Sequence, residues 1–145
     1  MMVVVADSVH ARIFSTESER SSFDEINVLT HPEARLHDRD ITSDLPGKNT
    51  GNSSSGGHAY VNKTDAKKHE QCKFASEVAS YLESERKSNK LSKLMLFAAP
   101  EFLGELRSNF SNELNNLTVY ESSKNIVHQS VDEIKKHIPK PSAYK

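Results

Sequence analysis

A glycine- and serine-rich segment near the middle of the chain separates two halves that differ in the spacing of their apolar residues. Residues 47–58, GKNTGNSSSGGH, contain four of the five glycines, three serines and no aliphatic side chain. Such a stretch has nothing to bury, so it predicts a flexible loop. Any fold of this chain must therefore build one core from two separate blocks of sequence.

The first block has the pattern of an antiparallel meander of three strands. Met2–Ala6 is a continuous apolar run, typical of a strand buried on both faces, and His10–Ser15 is rich in β-branched and aromatic residues. A third strand is predicted over Phe23–Leu29, and Pro32 would end it.

The second block alternates between helical and strand patterns. Thr64 can cap a helix that runs to about Arg86, with apolar residues at three- and four-residue spacing: Phe74, Val78, Tyr81 and Leu82. The run LMLFAA within Leu91–Ala99 predicts a buried strand, and a helix should follow from Pro100.

The remaining residues predict one more strand and one more helix. The strand is predicted over Leu117–Tyr120, and Ser130 and Glu133 have the spacing of a capping box at the start of the helix. Alternating strands and helices need crossovers, so parallel strands should lie beside the meander in a mixed sheet covered by helices. We expect one α/β domain over residues 1–139 and a frayed tail over 140–145.

Composition narrows the class of protein. Leu, Ile, Val and Phe make up 33 of the 145 residues, slightly above the roughly 20% below which chains tend to be disordered. The net charge of −1 lacks the basic excess of a general nucleic-acid coat protein and gives no sign of a DNA partner. One cysteine forms no internal disulfide, and no apolar run is long enough to span a membrane, so we expect a cytoplasmic protein.

Neither a metal site nor a cofactor is expected from the spacing of potential ligands. The seven histidines include no H-E-x-x-H pattern. His69 and Cys72 could share a helix face, although a helical cysteine is more often a small buried hydrophobe. Arg35 and Arg39 could hold a phosphate or belong to a solvated loop, and Gly47-Lys48 does not fit a nucleotide-binding P-loop.

One region carries a local excess of positive charge. Between Gly47 and Ala75 there are five lysines and two acidic residues. A basic helix beside a loop could contact RNA, and the alternative is a solvated helix face. The candidate RNA-binding residues are Lys48, Lys63, Lys67 and Lys68.

Four ordered blocks of sequence resemble the bacterial host attachment protein family, whose members are described as required for attachment to host cells. These blocks are MVVVADSVHARIF, HPEARLHDRDITSDLPGK, FASEVASYLE and LMLFAAPEFLGELR, and together they span most of the chain. The family in turn is similar to the central domain of the archaeal and eukaryotic peptide-chain release factor and of its relative Pelota. That second resemblance implies a five-stranded mixed sheet of ribonuclease-H-like topology, with helices on both faces.

The release-factor resemblance also implies a functional tip. Release factors carry Gly-Gly-Gln where this chain has Gly56, Gly57 and His58. If the role is kept, these three residues are the candidate catalytic residues for hydrolysis of the peptidyl-tRNA ester. The change from Gln to His leaves the enzymatic role open.

Two functions of different classes therefore stand as expectations. The first is a stand-alone release-factor-like domain that associates with the ribosome or with tRNA in translation or ribosome rescue. The second is a non-enzymatic interaction protein with an indirect role in attachment to host cells. A small hydrolase that uses a histidine has no identified Ser or Cys partner, and the sequence carries no signal for an oligomeric state.

Overall fold

The protein contains a five-stranded mixed sheet. The structure is a computed structural model that describes residues 1–18, 21–31 and 56–145; for residues 56–64 it describes the backbone alone. The strands are β1 (Met2–Ala6), β2 (His10–Ser15), β3 (Asp24–Thr30), β4 (Leu94–Ala98) and β5 (Thr118–Ser122). Their order across the sheet is β3-β2-β1-β4-β5. The first three strands pair antiparallel, whereas β1, β4 and β5 pair parallel.

Four helices and one short 3-10 turn complete the described chain. They are α1 (Gly56–Lys87), α2 (Pro100–Asn109), α3 (Asn112–Leu117), α4 (Val131–Lys136) and the 3-10 turn Pro141–Ala143. None of the helices in the described part combines the length and the apolar character needed to cross a lipid bilayer.

Both faces of the sheet are covered by apolar clusters. On one face, Val4 and Ile13 pack with buried residues of α1, α2 and α3, including Phe74. On the other face, Val3 and Val5 pack with the segment after β5 and with α4, including Ile126, Val127 and Ile134. Every residue of β1 is buried, because its alternate side chains enter the two clusters in turn.

Most of the predicted elements are confirmed. The α/β class and the mixed sheet are correct, β1 and β2 have the predicted bounds, and β3, β4 and β5 differ from the predictions by one to three residues at their ends. Ser130 is the N-cap of α4, and its side chain accepts a hydrogen bond from the Glu133 amide at 3.2 Å. Val119, within the predicted strand Leu117–Tyr120, is half-buried against the second cluster.

The start of the long helix was predicted wrongly. α1 begins at Gly56 rather than at Thr64, so the predicted loop over 47–58 is wrong for Gly56, Gly57 and His58, while 47–55 lies outside the described residues. Once the carboxyl half of a helix is held by packing, each further residue adds one hydrogen bond, and the stretch contains no proline to stop it.

The structure differs from the sequence predictions at one further helix and at the carboxyl-terminal tail. α3 was not predicted, because its sequence NELNNL has little apolar periodicity; its N-cap is Ser111, whose side chain accepts a hydrogen bond from the Leu114 amide. The tail is not frayed, since Tyr144 packs against the second cluster and the Lys145 amide donates to Val119 O at 2.8 Å.

An ion-pair cluster joins the tail and α2 to the end of β5. The Glu121 carboxylate accepts hydrogen bonds from Arg107 of α2, and Lys145 Nζ lies 3.5 Å from it. Burial raises the pKa of the Glu121 carboxyl, but the hydrogen bond and positive charge of Arg107, together with Lys145, outweigh burial and hold that pKa below its ordinary value. The carboxylate therefore stays ionised where the two elements meet.

The buried position of β4 gives a direct test of the fold. Leu96 is fully buried, so Leu96→Ala should lower the free energy of unfolding by about 2–5 kcal/mol, because it removes apolar contacts and leaves a cavity. Val28→Ala is the control: Val28 is 47% exposed, and its truncation should change stability by less than about 0.5 kcal/mol. Urea denaturation measures both, and equal midpoints for the two variants would contradict the placement of β4.

Candidate functional site

The carboxyl ends of the parallel strands define one edge of the sheet, which we call the carboxyl edge. β1, β4 and β5 are parallel, and β3 runs in the same direction because it is two antiparallel pairings away from β1. In open α/β sheets, ligands commonly bind outside the carboxyl ends of the strands where connections diverge. At this edge β1 is followed by a hairpin turn to β2, whereas β4 is followed by the helix α2.

A tight turn at the end of β1 places two potential ligands side by side. The Asp7 amide donates to His10 O at 2.8 Å, which closes the turn. Oδ1 of Asp7 accepts hydrogen bonds from the amides of Val9 at 2.9 Å and His10 at 2.7 Å. Asp favours such turns for this reason, and the two bonds fix the orientation of its carboxylate.

The segment after β5 brings a third group to this turn. Nε2 of His128 lies 3.6 Å from Oδ2 of Asp7, and the rings of His10 and His128 meet edge to face with centroids 5.5 Å apart. Nδ1 of His10 lies 3.8 Å from Oδ1 of Asp7. One ligand atom from each of the three residues lies within 4.8 Å of the others, so Asp7, His10 and His128 form a potential metal-binding group.

Arg12 of β2 holds the segment that carries His128. Its Nη1 donates to the carbonyls of Val127 at 3.0 Å and Gln129 at 2.6 Å, the two residues that flank His128. Its Nε donates to Oε2 of Glu25 on β3 at 2.8 Å, and its Nη2 lies 2.7 Å from the same oxygen. A planar guanidinium can make all these bonds at once, so Arg12 positions the backbone around His128.

A second polar pair lies where β3 ends. Nε2 of His31 is 2.5 Å from Oε2 of Glu70 on α1, and His31 is buried. The His31 ring also stacks on Phe74, with centroids 5.5 Å apart. The His31 amide donates to Val9 O at 2.8 Å. This pair therefore ties α1 to the carboxyl edge, beside the turn that carries Asp7 and His10.

The amino-terminal half of α1 extends beyond the carboxyl edge. Phe74 stacks on His31 and on Phe102 near the start of α2, so it lies level with that edge. From Phe74 back to Gly56 the helix covers 18 residues, or about 27 Å at 1.5 Å per residue. In the part of this arm whose side chains are described, residues 65–73, none is fully buried, and Lys67 and Lys68 are exposed.

The structure places only some of the predicted site residues. Gly56, Gly57 and His58 form the first turn of α1, and the side chains of His58 and Lys63 lie outside the described residues, as do Lys48, Arg35 and Arg39. Lys67 and Lys68 lie on the helical arm. His69 and Cys72 are exposed, so the interpretation of Cys72 as a buried hydrophobe is wrong.

The group Asp7, His10 and His128 was not found from the sequence. A sequence pattern reveals metal ligands at helical spacing, whereas Asp7 and His10 share a turn and His128 is more than a hundred residues away. The only local signal is an Asp three residues before a His at the end of an apolar run. Their meeting depends on the pairing of β1 with β4 and of β4 with β5.

Two comparisons with known proteins bear on identity. A family model described as "Protein required for attachment to host cells" matches residues 2–138. The comparison with curated proteins gave no significant match.

The role of Arg12 can be tested through the segment that it holds. Arg12→Lys removes the planar fork, and hydrogen bonds to a charged donor contribute about 1.5–3 kcal/mol. The Gln129 amide, which donates to Ile126 O in this segment, should then exchange at least about tenfold faster with solvent deuterium. Arg107→Lys, at the pair with Glu121, is the matched control and should leave Gln129 unchanged; equal exchange in both variants would refute the positioning role.

Proposed function

We propose that this chain, which belongs to the family of proteins required for attachment to host cells, is a stand-alone release-factor-like domain that associates with the ribosome or with tRNA in the cytoplasm. The observation that carries the proposal is the helical arm of α1, residues 56–73. It extends past the carboxyl edge, has Gly56-Gly57-His58 at its tip, and exposes Lys67 and Lys68.

The charge of the arm supports an RNA partner. Residues 56–73 contain four lysines and two acidic residues, although the whole chain has a net charge of −1. A positive segment on an otherwise balanced protein favours contact with phosphates at one place rather than general coating of nucleic acid. The first-turn amides of a helix also lack intrahelical acceptors, so they can donate to an anionic group.

The topology supports the release-factor relationship. The order β3-β2-β1-β4-β5, with β2 antiparallel to both neighbours, is compatible with the ribonuclease-H-like arrangement that the sequence resemblance implies. Because many functions share one fold, the topology is weaker support than the arm.

Co-sedimentation with ribosomes tests the association. Wild-type protein should pellet with ribosomes at low salt and less at moderate salt, because phosphate contacts release counterions. Lys67→Glu/Lys68→Glu should bind at least about tenfold more weakly, since each reversal replaces an attraction to phosphate with a repulsion. Lys90→Glu/Lys93→Glu, at two exposed lysines on the opposite edge of the sheet, makes the same change in net charge and should bind like wild type.

The outcomes of this experiment are distinct. Equal loss of binding in both double variants would mean that net charge alone governs association, and the arm would have no special role. Wild-type protein that stays in the supernatant at low salt would contradict the proposed partner.

A catalytic form of the proposal assigns hydrolysis of the peptidyl-tRNA ester to Gly56-Gly57-His58. Negative charge develops on the ester carbonyl oxygen during attack by water, and the amides in the first turn of α1 can stabilise it. His58 has a side chain that can transfer a proton near neutral pH.

Ribosomes stalled with a labelled nascent chain test this form. Wild-type protein should release the chain faster than buffer, and His58→Ala and Gly57→Ala should release it more slowly, with binding to ribosomes retained. Release at the buffer rate, or equal release by all three proteins, would leave a binding role without catalysis.

A second candidate is the non-enzymatic interaction protein with an indirect role in attachment. The family description supports it, and so does β3, the last strand of the described sheet on its side. Ile26 and Val28 on this strand are 43% and 47% exposed. An edge strand with exposed apolar side chains is suited to pairing with another protein. A protein that does not bind ribosomes in the co-sedimentation experiment would favour this second candidate.

A further inference from the structure

We infer that Asp7, His10 and His128 form a binding site for a zinc ion at the carboxyl edge. This site is separate from the proposed RNA contact on α1 and does not depend on it. Two imidazoles and one carboxylate are ligands that zinc takes in proteins, and three protein ligands are the number found in sites that keep a position open.

The ligand atoms lie somewhat farther apart than they would around one zinc ion. A shift of one side chain would bring them into place. Ligands about 2.1 Å from a tetrahedral zinc ion lie about 3.4 Å from one another. Oδ2 of Asp7 lies 3.6 Å from Nε2 of His128, Oδ1 of Asp7 lies 3.8 Å from Nδ1 of His10, and one ligand atom from each residue lies within 4.8 Å of the others. The side chain of His128 is 75% exposed, so its ring can move towards His10 and close the remaining separation at little cost.

The unpaired nitrogen of His10 is an independent observation that points to a ligand. Nδ1 of His10 is shielded from solvent and has no hydrogen-bond partner among the described residues. A buried polar atom without a partner is costly, and such atoms in folded proteins call for an explanation such as a bound ion. A metal ion between His10 and Asp7 would use the lone pair on this nitrogen.

Hydrogen bonds from neighbouring groups position two of the three ligands, Asp7 and His128. The amides of Val9 and His10 orient the Asp7 carboxylate, as described above, and leave Oδ2 directed towards His128. Arg12 binds both carbonyls that flank His128. Such outer contacts orient ligands and raise metal affinity. Because His128 faces solvent, a fourth position on the ion would be open to water or another oxygen ligand.

Isothermal titration with zinc chloride tests the site in the full chain. Wild-type protein should bind one zinc ion at this site, and excess magnesium should not compete, because imidazole is a poor ligand for magnesium. His128→Ala should weaken binding at least about tenfold, with little change in folding because the side chain is exposed. Asp7→Asn should do the same, since Asn can still accept both amide bonds of the turn.

The matched control removes a different pair of potential zinc ligands. His69 and Cys72 are exposed and three residues apart on α1, and together they could bind zinc weakly. His69→Ala/Cys72→Ala should therefore leave the high-affinity zinc binding and the zinc-induced rise in melting temperature intact, whereas His128→Ala should lose both. Zinc binding that survives in His128→Ala and Asp7→Asn, or that disappears in the His69/Cys72 variant, would overturn the assignment, as would a wild-type protein that binds no zinc.

Discussion

Burial of β1 on both faces is the constraint on which the rest of the structure depends. Val3 and Val5 contribute to one cluster and Val4 to the other, and β1 pairs with β2 on one side and β4 on the other. The first polar side chain after this strand, Asp7, consequently emerges at the centre of the carboxyl edge. The group Asp7, His10 and His128 and the pair of His31 with Glu70 lie around that point.

Three parts of the chain reach this edge by different physical means. Asp7 and His10 are placed by a turn that satisfies its own hydrogen bonds, His128 by the guanidinium of Arg12, and the arm of α1 by the contacts of His31 with Glu70 and Phe74. Each of these contacts uses a polar group to hold backbone at the edge of the sheet. A change at any one of them should therefore affect the edge more than overall stability.

The sequence was sufficient for the sheet and insufficient for the site. Apolar runs such as Met2–Ala6 and the capping box at Ser130 are local signals, and both predicted their elements correctly. The start of α1 and the short helix α3 were missed because neither segment shows a clear helical period of apolar residues. The approach of His128 to Asp7 is a consequence of strand order, which no local pattern contains. The roles of Gly56–His58 and Lys67 stay predictions.

The most direct test of the account is to map ligand contacts on the protein by amide chemical shifts. Labelled protein would be titrated with an RNA hairpin that mimics the acceptor stem of tRNA. The proposed RNA contact predicts that the largest shifts fall in the arm of α1, around Lys67 and Lys68. Shifts concentrated at the opposite edge, near Lys90 and Lys93, or no shifts at all, would contradict it.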